Sequence, residues 1–189
     1  VESEKTPLLW YAVYTRSRWE HRIADALRQK GLEVFLPTYG TAKPSSRGYI
    51  GAPPALFPGY LFCRLDITKR LSVITVNGVL SILGVGQNPE PVPDHELDSV
   101  RKLVESGMTL CPNAVLAPGQ SILVEYGPLK GVTGTLIQTV RESLLLVSIS
   151  MLNRSVAVRL KPEWVTSNRN LQALVASRPM QSHGFVPMG

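Results

Sequence analysis

Cysteine and histidine are scarce in this sequence. Two cysteines, Cys63 and Cys111, and three histidines, His21, His95 and His183, are scattered over 189 residues. They form no CxxC pair and no Cys/His cluster, which excludes a structural zinc site built from closely spaced sulfur and nitrogen ligands. Two lone thiols fit a reducing cytoplasm, with a Cys63–Cys111 disulfide left open. Cys63 lies in an apolar run and reads as a small buried hydrophobe, whereas Cys111 precedes Pro112 in an expected loop. Long hydrophobic runs are also missing. No stretch approaches the roughly 20 apolar residues that span a bilayer, and the N-terminus lacks a signal-peptide pattern. A cytoplasmic location and no membrane partner are therefore expected. Neither a Ser/His/Asp set, nor paired carboxylates, nor a phosphate-binding glycine loop occurs, so no catalytic residue, metal or cofactor is assigned and an enzyme is not expected. Acidic residues are the minority, 14 against 20 Lys and Arg, for a net charge of +6. That balance suits a polyanionic partner, because basic side chains displace counterions from phosphates.

The length accommodates two small domains. Leu8 to Tyr14 is an aromatic and β-branched run that predicts a buried strand. Helical spacing follows, with Trp19, Ile23, Ala24 and Leu27 on one face, Glu20, His21 and Arg22 elsewhere, and Gly31 as a stop. Leu32 to Pro37 predicts a second strand, and Tyr39 to Pro54, with Lys43 and Arg47, a loop or hairpin. Leu56 to Leu65 predicts a third strand, Asp66 to Ser72 a helical turn, and Val73 to Val85 a turn and a fourth strand. A helix after Val92 has Asp94 as its cap and Leu97, Val100, Leu103 and Val104 as its apolar face, with Gly107 at its end. From Ala117 the pattern changes. Four short apolar runs, at residues 122–124, 134–137, 144–149 and 156–160, recur about every ten residues and predict a small antiparallel barrel. The division expected is 8–107, a linker at 108–117, a barrel at 118–166, and a polar tail at 167–189 without fixed structure.

Two motifs carry functional weight. Phe57-Pro58-Gly59-Tyr60 enters a strand; Pro58 fixes φ, and Gly59 permits a close backbone approach. Its two aromatics either project an aromatic surface or fill the core. The second motif runs from Pro118-Gly119 through Tyr126-Gly127-Pro128-Leu129-Lys130-Gly131 to Gly134, where glycines at tight turns alternate with apolar strands and Leu129 plugs the barrel.

Residues Trp10 to Tyr14 with Arg16, Trp19 and Glu20, the segment Leu56 to Phe62, and Val79 to Gly84 with Pro91 to Asp94 resemble the N-terminal domain of NusG-family elongation factors. The glycine-patterned second motif resembles that family's C-terminal KOW domain. The resemblance covers Leu8 to Val165. It implies an α+β chain: an N-terminal α/β sandwich with a mainly antiparallel sheet, and an SH3-like β-barrel.

It further implies a monomeric bacterial factor that bridges the RNA polymerase cleft, suppresses pausing and modulates termination and antitermination. Tyr14, Phe57, Pro58 and Tyr60, with Val79 and Ile82, match positions that pack on the clamp helices of the largest catalytic subunit. Trp10 reads as core. Lys69, Arg70, Leu71 and Ser72 match the stretch that reaches the gate loop across the cleft. Arg16, Arg18, His21 and Arg22 match the helix start that faces non-template DNA, a solvated helix face being the bland alternative. In the barrel, Met151, Leu152 and Arg154 match the loop that recruits a small-subunit ribosomal protein or Rho. That loop departs from the housekeeping pattern, with Leu152 in place of an aromatic and Asn153 in place of glycine. The direct passage from the first helix to Gly31-Leu32-Glu33-Val34 resembles specialised paralogues, some of which mask the clamp site with the C-terminal domain. A ribosome- or RNA-binding KOW protein acting in translation is the competing class.

Overall fold

Residues 6–40, 51–86, 88–114, 119–138, 143–161 and 164 are described by the computed structural model. Lys43, Arg47 and the tail from 167 lie outside the described residues. At the centre of the N-terminal sheet is β1 (Leu9–Thr15), flanked by β3 (Tyr60–Leu65) on one side and β4 (Val79–Ile82) on the other, with β2 (Glu33–Phe35) outside β3. All of these pairings are antiparallel. The continuous apolar character of β1 has a plain cause: both faces of the sheet are covered. Tyr11 and Val13 point, with Leu61, Cys63 and Leu65 of β3, toward Ile23, Ala24 and Leu27 of α1 (Glu20–Gln29) and toward Val73 of the short α2 (Leu71–Ile74). Trp10, Ala12 and Phe62 point the other way, onto Leu97, Val100 and Leu103 of α3 (Asp94–Glu105). The result is a sheet sandwiched between helices.

The hairpin β5 (Gly84–Val85) and β6 (Asn88–Pro89) joins β4 to α3. Asp94, expected as the helix cap, is the first helical residue instead; Pro93 holds the cap position with an extended ψ of 133° and no side chain caps the helix. Asp94 and Glu96 in the first turn act on the helix dipole rather than through a capping bond.

The C-terminal sheet has the order β7-β11-β10-β9-β8, with β8 (Gln120–Leu123), β9 (Thr133–Gln138), β10 (Ser143–Ile149) and β11 (Arg154–Leu160) on the four expected apolar runs. Leu129, the expected plug, is fully buried beside Ile122, Val124 and Val132. Its outermost strand, β7 (Leu110–Ala114), falls where a linker was expected and pairs with β11. Cys111 accordingly lies on an edge strand, not in a loop, and is exposed, while Cys63 is buried in the other sheet; both are free thiols.

The two halves are packed together. One hydrophobic cluster runs from Trp10, Phe62 and α3 into Ile122, Leu129, Val147, Leu152 and Val156. In β10 and β11 burial continues through consecutive residues, Leu145 to Val147 and Ser155 to Val158, so this part of the sheet is covered on both faces. The N-terminal helix α3 lies against β10.

Candidate functional site

Tyr14, next to last in β1, lies directly opposite Tyr60, the first residue of β3. Their ring centroids are 5.1 Å apart at an interplanar angle of 30°, an offset pair of the kind aromatic quadrupoles favour. Tyr14 is 39% exposed, which for a tyrosine in a buried sheet marks a surface rather than a core position. Tyr60 is half-buried. Phe57 does not join them. At 1% exposure it is a core residue, edge-on to Phe62 at 6.0 Å, so of the expected docking aromatics only the two tyrosines reach the surface. The reason is the turn: Gly59 has φ +85° and Tyr60 N–H donates to the Phe57 carbonyl at 3.0 Å, which sends the chain back and carries Phe57 inward. Pro58 is exposed at the tip of that turn.

Val79 and Ile82 are half-buried on the α1 side of β4, while Leu80 between them is 52% exposed and Val85 of the hairpin 74%. The exposed apolar surface of β4 and the hairpin after it is therefore made by Leu80 and Val85 more than by Val79 and Ile82. Val79 and Ile82 pack on the same cluster although they are three residues apart, because the β1–β4 pairing shifts register at Leu80.

The stretch from Lys69 to Ser72 forms a knob on the α1 side of the sheet. A 3-10 turn (Ile67–Lys69) is opened by Asp66, whose carboxylate accepts from Thr68 N at 3.0 Å and Thr68 Oγ1 at 2.7 Å. The Thr68 hydroxyl bond, with the backbone bond and Lys69 nearby, holds the Asp66 carboxyl below its ordinary range against a smaller opposing effect of burial. Lys69, Arg70 and Leu71 are exposed, Leu71 by 65%, and the Ser72 carbonyl accepts from Lys30 Nζ at 2.8 Å.

The arginines converge on Trp19. The Arg22 and Arg16 guanidiniums lie 4.8 Å and 5.5 Å from its ring centroid, cation–π geometry for both. Trp19 in turn packs on Gly78, where a Cβ would lie 2.7 Å from the indole. Arg18 stands in the left-handed region at φ 66°, in a turn closed by Trp19 N–H donating to the Arg16 carbonyl at 3.1 Å. Arg16, Arg18 and Arg22 are exposed together. His21 is separate from this group, since its Nε2 is 2.7 Å from the Pro53 carbonyl and it ties α1 to the chain before Ala55.

The expected recruiting residues lie on the inner side of the molecule. Ser150–Leu152 is a 3-10 turn ended by Asn153 at φ 49°. Asparagine is the residue that best stands in for glycine in that conformation, which accounts for its presence there. Leu152 is buried, Met151 packs against the shared cluster, and the Arg154 guanidinium lies 5.7 Å from the Tyr60 ring centroid. Beside them Glu96 of α3 accepts from Ser150 N at 3.0 Å and from Ser150 Oγ at 2.7 Å. Lys102, one further turn pair along α3, donates to the Lys130 carbonyl at 3.4 Å. Tyr60 and the turn bearing Met151, Leu152 and Arg154 thus adjoin on one hydrophobic cluster.

Sequence patterning missed two carboxylates here. Nothing in the pattern of α3 singles out Glu96. Glu20 was put off the apolar face of α1, yet it is 5% exposed on the same face as Ile23, Ala24 and Leu27, and its Oε1 accepts from Gly59 N at 2.7 Å. Its spacing from Ile23 and Leu27 was the available signal.

A tyrosine pair, a cluster of exposed arginines and a partly buried apolar turn give this scaffold aromatic and basic surface of the kind that binding proteins use. Comparison with known proteins gives the family. Residues 8–101 match the family described as "Transcription termination factor nusG". The chain is 25% identical over 179 residues to the transcription termination/antitermination protein NusG of Rickettsia felis, covering 88% of this chain and 93% of that one. It is 29% identical over 174 residues to the protein of that name from Escherichia coli K12, covering 84% and 95%. A solved structure of Thermotoga maritima NusG aligns with a TM-score of 0.49 at 21% identity, over 83% of this chain and 95% of that one. The chain belongs to the NusG family of transcription termination/antitermination proteins and is a transcription factor, not an enzyme.

Proposed function

We propose that this chain binds RNA polymerase through the surface around Tyr14 and Tyr60, seating the tyrosine pair on the clamp helices of the largest catalytic subunit. The observation that carries this reading is the exposed Tyr14 paired with Tyr60 near a strand end, with Leu80 exposed on the adjacent strand β4 and Val85 on the hairpin after it. Amphipathic aromatics with few rotors are the usual energetic anchors of interfaces, and an exposed apolar patch in a monomer marks an interaction surface. Lys69, Arg70, Leu71 and Ser72 would meet the gate loop on the other side of the cleft, and Arg16, Arg18 and Arg22 the non-template strand. Binding only the closed clamp shifts polymerase away from the open states that accompany pausing, by the difference in affinity for the two. The site of action is the cytoplasm.

The C-terminal half is the recruiting module, through Met151, Leu152 and Arg154, toward a ribosomal small-subunit protein or Rho. Arg154 lies against the Tyr60 ring, and Met151 and Leu152 belong to the cluster on which Tyr60 packs, so a large partner seated on Tyr60 would displace that turn. Docking on polymerase therefore requires the halves to separate, and release of the C-terminal sheet exposes its recruiting turn in the same step. We take the hinge to be residues 106–109, between the end of α3 and the start of β7.

Pull-down with core polymerase tests the docking surface. Tyr14→Ala and Tyr60→Ala are each expected to weaken binding about 30-fold, the effect of a hot spot near 2 kcal/mol. Binding by both variants equal to wild type would remove the reading. Transcription on a template with a pause and a Rho-dependent terminator separates the subtypes: faster pause escape without added Rho termination indicates the specialised one, and added Rho termination the housekeeping one.

A further inference from the structure

We infer that Glu20 is the positioning residue of the polymerase-docking turn, an inference that rests on the docking surface proposed above. Phe57 to Tyr60 is a turn with Pro58 second and Gly59, at φ +85°, third, closed by Tyr60 N–H donating to the Phe57 carbonyl at 3.0 Å. This is the signature of a type II turn. Such a turn leaves the N–H of its third residue without an internal acceptor, and here that residue, Gly59, is buried away from water. A buried backbone donor must find a partner. Glu20 Oε1 is that partner at 2.7 Å, from a side chain that is itself 5% exposed.

The other end of the same residue completes a clamp. The Gly59 carbonyl accepts from Thr15 N at 2.8 Å, one residue after Tyr14, and a Cβ at Gly59 would lie 3.4 Å from the Tyr14 ring. The turn is therefore held at its N–H by α1 and at its carbonyl by the end of β1. Tyr60 follows it directly, and Tyr14 lies over it. The contact of Glu20 is with the backbone of the turn. It fixes the peptide on which their mutual placement depends, and the first turn of α1 is a favourable place for its negative charge.

Glutamine supplies the same carbonyl oxygen without the charge, whereas alanine leaves Gly59 N–H unpaired. In the full chain, the Gly59 amide resonance should lie downfield in wild type and in Glu20→Gln. In Glu20→Ala it should move upfield while the amides of β10 and β11 keep their positions. Affinity for core polymerase should fall about tenfold in Glu20→Ala, in line with loss of a charge-assisted bond, and stay within about twofold in Glu20→Gln. Tyr60→Ala is measured alongside. If it loses binding while Glu20→Ala binds as wild type, or if Glu20→Gln loses binding with the Gly59 resonance unmoved, the positioning role is overturned. Should Glu20→Ala fail to fold, Glu20→Gln alone decides in the same terms. If Tyr14→Ala and Tyr60→Ala bind as wild type, the docking surface itself is wrong, and the Gly59 resonance separates that failure from any failure of Glu20 to hold the turn.

Discussion

Cys63 and Cys111 differ in chemistry because of where the chain puts them. Burial, with Glu33 adding a smaller effect, pushes the Cys63 thiol up to about 12, while Cys111 is exposed on an edge strand. A thiol raised in the folded state favours folding fully below its ordinary range near 9, and that contribution is lost as pH rises through the folded value. Alkylation at pH 8 is expected to modify Cys111 rapidly and Cys63 only after denaturation, since the thiolate is the reacting species. Mass spectrometry showing two fast equivalents in the native protein would contradict the burial. Arg18 is the other residue with a measurable consequence. A left-handed φ of 66° disfavours any residue with a Cβ. Arg18→Gly should leave the fold intact and raise stability by up to about 1 kcal/mol in denaturant unfolding. It should also weaken single-stranded DNA binding if Arg18 contacts phosphate. Unchanged DNA affinity would return Arg18 to the status of a solvated side chain.

Among the elements, the contact between α3 and β10 decides how readily the halves part. Glu96 accepts two bonds from Ser150 in a partly solvated setting, so its contribution is on the order of 1 kcal/mol. Hydrogen exchange reads this directly. In Glu96→Ala the Ser150 amide should exchange about fivefold to tenfold faster, while amides inside the β10–β11 ladder stay protected. Equal exchange in the two proteins would mean that this pair does not hold the halves together. The same elements explain what could be read from sequence. The strands β1, β8, β9, β10 and β11 were legible because their apolar runs reflect cores covered on one or both faces. β7 was not, because Pro112 interrupts any strand pattern; its place on an edge strand, beside a register shift in the pairing with β11, is where proline is tolerated in a sheet. Phe57 and Tyr60 were indistinguishable by type, and only the turn between them sends one inward and one outward. The Glu96–Ser150 and Glu20–Gly59 bonds join residues 54 and 39 positions apart, which no local period encodes.

For the whole molecule, one hydrophobic cluster spans both halves, and Tyr60 and the Met151–Arg154 turn lie at the edge of the shared contact. Composition and periodicity carry no sign of this contact, because each half has its own apolar pattern; only the resemblance to specialised paralogues that mask the clamp site pointed to it. Separation of the halves exposes part of that cluster, which opposes opening, and a polymerase that covers the same surface compensates. Affinity for polymerase is then an intrinsic value reduced by the fraction of open molecules. Weakening the latch without touching either tyrosine must raise it. The most direct measurement is the dissociation constant of the full chain for core RNA polymerase, compared between wild type and Glu96→Ala/Ser150→Ala. Binding several-fold tighter in the variant is the predicted result; equal or weaker binding would contradict a docking surface masked by the C-terminal half.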